Sequence, residues 1–436
     1  MAHHVLIVVQ NLPVPFDRRV WMEATTLRAA GYDVTVICPA TPNFPVGSFE
    51  IDGIQVHRHP LDADHESYVG FLREYAESTY HELRLAWKVW RRHRFDAVHI
   101  CNPPDLLFLT ALPARVLGGA RVVFDQHDVN PELFESKFGR RGILYWALRL
   151  AERLTFATAH VVISTNESYR AIALERGGKS ADDVFVVRSG PRMSDFGRAV
   201  EPTPRDPRFS SLVGYLGVMG PQEGIDHLLR AAALLRSRGR EDIGYVLIGG
   251  GASLEDMRAL AHELRIDDIV EFTGRVPDDE LKARITSCDI CVNPDPMNPL
   301  NDISTMNKIL EYMALGRPVV QYDLREGRRS AGDASLYARP NDITDLADTI
   351  EQLLADPVAR ERLGAIGRAR MVDELSWEHS EPVLLRAYAR LFGPTNRTRV
   401  SKRPSPRSEQ SPRNVTEGST TPYSVEHQPS IGSSLP

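Results

Sequence analysis

The chain is 436 residues long, 42% hydrophobic and 25% charged, with a formal net charge of −6. That length accommodates two or three domains with a core each, in the composition of an ordinary globular protein, and the acidic balance argues against a dedicated nucleic-acid binder. Four cysteines supply no disulfide framework and suit a reducing compartment.

Val5 to Val9 is an apolar run read as a first buried strand. It is too short for a signal peptide and lacks a basic leader. No run in the chain approaches the roughly 18 to 20 apolar residues that span a bilayer, so a cytoplasmic protein is expected. A helix follows from about Phe16 to Ala30, ended by Gly31, and Val34 to Ile37 is the next strand. Ala97–Ile100, Val122–Phe124, Val161–Ile163 and Val184–Val187 continue the series, and Ser189-Gly190-Pro191 reads as a linker. Strands alternating with helical stretches predict a parallel sheet covered by helices.

A second series runs through Val213–Gly217, Gly244–Ile248, Ile269–Phe272, Ile290–Val292 and Pro318–Gln321. Two doubly wound halves facing a cleft is the economical architecture, with ligands outside the carboxyl ends of the strands. The spacing predicts a final helical segment from about Ser376 to Phe392, kinked or restarted at Pro382. From about Gly393 the composition turns to Ser, Pro, Thr, Arg and Glu, and disorder is expected for 394–436. The Asn414-Val415-Thr416 sequon within it is attributed to chance. Cys288 and Cys291 flank a strand start without a second pair, so they read as buried structural thiols rather than metal ligands.

The most informative stretch is Ser304 to Val320. A polar segment opens a helix, Glu311 sits one turn in, and Gly316-Arg317-Pro318 ends it before an apolar strand. Free N–H groups and the positive end of the dipole at such a start attract an anion. Lys308 adds a mobile cation, and Glu311 offers two oxygens to a pair of sugar hydroxyls. Phosphate plus ribose is the ligand these parts suit.

Glu311 to Val320 matches, nearly residue for residue, a segment Glu-Ala/Tyr-Met-Ala-x-Gly-x-Pro-Val-Val, and the chain thereby resembles the retaining glycosyltransferases of family 4 (group 1), in a polar-Lys-x-x-Glu-Tyr-Met variant. The resemblance covers roughly residues 4 to 393. It implies the GT-B fold: an α/β protein with a Rossmann-like acceptor domain at 1–190, a Rossmann-like nucleotide-sugar domain at 191–380, and a helix at 381–393 returning to the first. It implies a nucleotide diphosphate sugar as donor, transfer with retention, and a lipid-linked or polysaccharide acceptor. No cofactor is expected. The Asp-x-Asp at Asp62-Ala63-Asp64 lies away from the donor site, so metal independence is expected as well.

Residue by residue, the resemblance places Gly217, Gly220, Arg275, Ser304, Thr305, Asn307, Lys308 and Glu311 around the donor, and His127 in Phe124-Asp125-Gln126-His127-Asp128 against its sugar and phosphate; Gly250, in the glycine loop after Tyr245 to Ile248, reads equally as a donor contact or as a tight strand-to-helix turn. Two departures stand out. The family's loop arginine and lysine are replaced by Val218 and Glu223. The glutamate eight positions before Glu311 is replaced by Ile303, with Asp302 one step away as its substitute. Arg18 and Arg19 follow the first strand, where the family has glycines; one is expected to face an anionic acceptor or the donor phosphate, against the alternative of a salt-bridge partner for Glu23. Asn102, Asp105 and Asn166 are acceptor-site candidates at strand ends. These departures motivate one rival, a catalytically weak scaffold subunit; a second rival on the same fold, a sugar-nucleotide 2-epimerase, is disfavoured by the missing glutamate.

Two basic aromatic segments remain. Tyr80, Leu83, Trp87 and Trp90 fall at helical spacing among Arg84, Lys88, Arg91, Arg92 and Arg94, and Lys137, Arg140 and Arg141 precede Leu144, Tyr145 and Trp146. Each reads either as peripheral contact with an anionic membrane on its inner face or as a core-packed helix with a solvated basic side.

Overall fold

An unbroken apolar run is stable as a strand only with both sheet faces covered, and in the computed structural model Val5–Val9 lies within β1 (His4–Val9), buried throughout. The structure describes residues 2–61, 68–139, 141–196 and 200–393. Asp62 to Asp64, the Lys137 side chain, Arg140 and the segment from 394 onward, with its sequon, lie outside the described residues. The first sheet continues with β2 (Asp33–Pro39), β3 (Gly47–Ile51), β4 (Ile54–His59), β5 (Ala97–Cys101), β6 (Arg121–Gln126), β7 (Val161–Ser164) and β8 (Val184–Val186). Their order is β3-β4-β2-β1-β5-β6-β7-β8, parallel except for β3.

The hairpin β3–β4 was not anticipated. Its signal was present: alternation around Asp52-Gly53, both with positive φ (52° and 74°), is the two-residue turn whose twist matches paired strands. The second sheet contains β9 (Ser211–Leu216), β10 (Ile243–Ile248), β11 (Val270–Gly274), β12 (Ile290–Asn293), β13 (Val319–Tyr322) and β14 (Ser335–Ala338). It is parallel, in the order β11-β10-β9-β12-β13-β14.

Helices cover both faces of each sheet. Arg18–Ala29 and Trp377–Phe392 share a core with one face of the first sheet, while Tyr68–Arg92, Phe108–Gly118 and Ile143–Thr158 cover the other. Ile225–Ser237 and Ile343–Ala355 cover one face of the second sheet, Asp278–Ser287 and Asn307–Ala314 the other. The Trp377–Phe392 helix runs through Pro382 without restarting. Trp377 donates its indole N–H to Thr26 at 3.0 Å, and the Tyr388 hydroxyl meets His99 at 2.9 Å. These contacts tie the Trp377–Phe392 helix into the first domain. Cys288 and Cys291 are buried free thiols.

The order of strands reverses around β1 in the first sheet and around β9 in the second. Loops leaving those strands and their neighbours diverge there and open a crevice. Gly217, Gly250 and Asp295 lie just past the ends of β9 and its two neighbours, His127 lies just past β6, and Arg18 opens the helix that follows β1.

Candidate active site

The helix Asn307–Ala314 starts just after the polar Ser304-Thr305, and Lys308 stands in its first turn. Lys308 is not a mobile cation. Its Nζ lies 2.5 Å from the Glu223 carboxylate and 2.9 Å from that of Asp295, above the Tyr215 ring. Burial opposes the charge, but Asp295 foremost, then Tyr215 and Glu223, hold the Lys308 pKa well above its ordinary value. Asp295 is itself pushed up to about 7 by burial, with Lys308 pulling it back. Glu223 is therefore explained: its sign is opposite to the one the resemblance implies because the cation reaches this loop from Lys308 instead.

Glu311 occupies the next turn, its side chain 16% exposed towards the cleft. Across the cleft, Arg18 donates to Glu311 at 3.0 Å and to Asp278 at 2.6 Å. Burial raises the Glu311 pKa, and Arg18 counters it. Arg18 thus holds the carboxylate expected to receive the ribose. Arg275 follows β11 and stacks on Phe16 of the opposite domain, 4.3 Å from the ring centre.

Two glycine turns form the floor beside Lys308. Gly217 (φ 157°) and Gly249 (φ 133°) approach so closely that a Cβ on Gly249 would fall 1.9 Å from the Gly217 carbonyl oxygen. Gly250 accepts from the Met219 N–H and faces open space, and Gly220 precedes the short turn that carries Glu223. Backbone N–H groups here can approach a phosphate.

Other donor-side candidates are engaged elsewhere. Asp302 accepts from the Arg325 N–H at 2.9 Å and pairs with its guanidinium. It caps the Arg325–Ala331 helix instead of filling the place of the missing glutamate. Ser304 bonds Tyr169 at 2.9 Å, and Asn166 donates to Thr305 at 3.1 Å and to the Ile303 carbonyl at 3.0 Å. Ser168 donates to buried Glu326 at 2.6 Å. Ser304, Thr305 and Asn166 are thus seam residues closing the two domains on each other. Asn307 is exposed at the helix start.

In the first domain the structure corrects the reading of Arg19. It is buried, forks onto both oxygens of Asp125 (2.7 and 3.0 Å), pairs with Glu23 and donates to the Val187 carbonyl. Asp125 in turn bonds the His127 ring. Burial disfavours the Asp125 charge, yet Arg19 and then His127 outweigh it, and the carboxyl is held well below its usual range. Burial, with Asp125 adding to it, pushes Glu23 well above. His127 is consequently fixed from beneath, with Asn102 accepting from its backbone N–H at 2.7 Å. Asn102 and Asp105 are buried and bonded to each other at 2.8 Å, so they brace the loop rather than face an acceptor.

Glu23, Cys101, Asp125 and His127 present ligand atoms within 4.8 Å of one another. A metal would have to displace Arg19 from Asp125, and burial raises the Cys101 thiol well above its usual range. The group reads as a hydrogen-bonded support. Sequence reasoning missed Asp295, Tyr215 and Asp278; Asp295 follows β12 directly, and its position at a strand end was the available signal.

Two family models tile this architecture. The glycosyl transferase 4-like domain matches residues 17–190 and the glycosyl transferases group 1 model residues 210–356. The chain belongs to the group 1 glycosyltransferases. An α-D-kanosaminyltransferase of Streptomyces kanamyceticus is 26% identical over 70% of this chain and 80% of its own length. A 2-deoxystreptamine glucosyltransferase of the same organism is 29% identical over 42% of this chain and 46% of its own length. A D-inositol 3-phosphate glycosyltransferase of Thermomonospora curvata is 30% identical over 54% and 58%. The chain therefore spans only about half the length of two of these three relatives. Among solved structures, a sucrose-phosphate synthase from Thermosynechococcus elongatus superposes with a TM-score of 0.74 at 20% identity, over 89% of this chain and all but 1% of that one. Anabaena HepE in complex with UDP-glucose gives 0.66 at 16% identity, over 88% and 99%. The fold is GT-B.

Proposed function

We propose that this group 1 glycosyltransferase moves a sugar from a nucleotide diphosphate sugar, with retention, to a lipid-linked or polysaccharide acceptor. The observation that carries the reading is Glu311, a part-buried carboxylate aimed across the cleft from a helix start, whose ion-pair partner among the described residues is Arg18 of the other domain. Two hydroxyls of a ribose replace the Arg18 hydrogen bond there, while Asp278 keeps hold of the guanidinium. The Gly217 N–H is held by the Ile248 carbonyl, so it is the Gly250 turn that supplies N–H groups to the phosphates, and His127, held by Asp125, faces the departing group. Lys308 serves by fixing Glu223 and Asp295 under the site. In this chemistry the leaving phosphate takes the acceptor proton, and the protein contributes position and charge.

HepE has been solved with UDP-glucose, which favours a uridine donor. The relatives named for 2-deoxystreptamine and inositol phosphate act on cyclitols, which makes a polyol hydroxyl the expected nucleophile. The scaffold reading retains one supporting observation, the occupation of Glu311 by Arg18. A thermal-shift screen with UDP, GDP, ADP and TDP on wild type and Glu311→Ala separates the two. Stabilisation by one diphosphate, lost in the variant, supports the transferase; silence with all four leaves the scaffold.

A further inference from the structure

The first domain exposes an unusual side. Helices Tyr68–Arg92, Phe108–Gly118 and Ile143–Thr158 cover one face of its sheet and pack side by side. Their outer surfaces carry large apolar residues: Tyr80 and Trp87 on the first, Val116 and Leu117 on the second, Ile143 and Trp146 on the third. Ile143 is 92% exposed, Leu117 76% and Trp146 62%. Leu150 and Leu154 extend the third row at helical spacing. Single exposed apolar residues are normal, but rows on three adjacent helices mark a contact surface.

Charge identifies the occupant. Residues 83–94 hold five basic side chains and no acidic one. Tyr80, Arg84, Trp87 and Arg91 form one exposed stripe, with Lys88 beside it. Phe108–Gly118 adds Arg115 and no acid, and the one acid of Ile143–Thr158, Glu152, is buried against Arg176. This accumulates in a chain of net charge −6. A second copy would bring the same cations to the interface and repel. Apolar side chains and aromatic rings interleaved with cations are the chemistry of an anionic lipid surface.

We propose that this three-helix face docks the protein on an anionic bilayer. The inference stands apart from the transferase reading, because vesicle binding and nucleotide binding are measured separately. The test is flotation of the full chain with vesicles of phosphatidylcholine alone or mixed with phosphatidylglycerol, at low and high salt. Wild type should float with the mixed vesicles only, less so at high salt. The triple variant Arg84→Glu, Lys88→Glu, Arg91→Glu should bind at least about 100-fold more weakly, since each cation near the surface contributes roughly fivefold. Leu117→Ser with Trp146→Ser should also lose flotation while melting like wild type. Any of three results overturns the proposal: no flotation of wild type, equal flotation with neutral vesicles, or full retention by the charge variant, which would assign binding to the basic segment after residue 394. A dimer in solution that the Leu117/Trp146 variant dissolves would assign the face to a second copy and equally overturn it.

Discussion

Replacing Lys308 with methionine keeps the stem and removes the charge that two carboxylates share. At 2.9 Å from Asp295 and an effective dielectric of about 20, the attraction to one unit charge is roughly 6 kcal/mol. Desolvation of both groups offsets much of that, so the measurable quantity is the cost of leaving Glu223 and Asp295 facing each other without a cation. For a buried pair this is about 3–5 kcal/mol. The loss should depend on pH. Asp295 already titrates at about 7 with Lys308 beside it, and without the cation one carboxyl protonates more readily still. Protonation removes the repulsion, so the deficit should be greatest well above neutral pH, shrink as the pH falls to about 7, and level off below it, where Asp295 is protonated in both proteins. Urea unfolding of wild type and variant across that range is the assay, with Lys308→Met/Glu223→Gln expected to recover part of the loss. If Lys308→Met costs under about 1 kcal/mol at every pH while nucleotide affinity collapses, Lys308 is a free phosphate ligand and the reasoning from its pairing fails.

Five further variants have expected outcomes. Glu311→Gln should weaken the stabilising diphosphate about 10- to 100-fold, the loss of hydrogen bonds to a charged acceptor worth about 1.5–3 kcal/mol, read by calorimetry; Arg18→Ala, removing a half-exposed ion pair, should shift the apo protein's stability by under about 1 kcal/mol. Burial pushes Glu82 up to about 8, with Thr110 its hydrogen-bond donor. A carboxyl raised in the folded state favours folding below its unfolded value and loses that advantage as pH rises to about 8, so Glu82→Gln should flatten the fall in stability between about pH 4.5 and 8 and gain up to about 5 kcal/mol at the upper end. Tyr388→Phe strands the His99 ring nitrogen and should cost about 1–3 kcal/mol in urea unfolding, without altering nucleotide affinity. Gly249→Ala drives a methyl into the Gly217 carbonyl and should abolish diphosphate stabilisation in thermal shift while leaving first-domain hydrogen-exchange protection unchanged.

Periodicity alone determined the two wound domains, because buried parallel strands must be apolar at every position, as in Val5–Val9 and Ile290–Val292. The segment from Ser304 to Val320 placed a helix start and a carboxylate together, because residues one turn apart share a face whatever the rest of the chain does. Local chemistry reached that far. The β3–β4 hairpin was legible in Asp52-Gly53 and was passed over; β14, Ser335–Ala338, is half-buried at its centre and opens on serine, so it lacks the apolar run that marked the equally short β7, β12 and β13. What only the tertiary structure decided is who meets whom across long separations. Glu223 looked like the loss of a cation until Lys308, 85 residues on, was seen against it. Arg18 and Arg19 are neighbours in sequence, yet one reaches Glu311 across the cleft and the other lies buried on Asp125, because consecutive helix residues point about 100° apart. Spacing fixes which residues share a surface; only the packing of the two domains fixes what that surface faces.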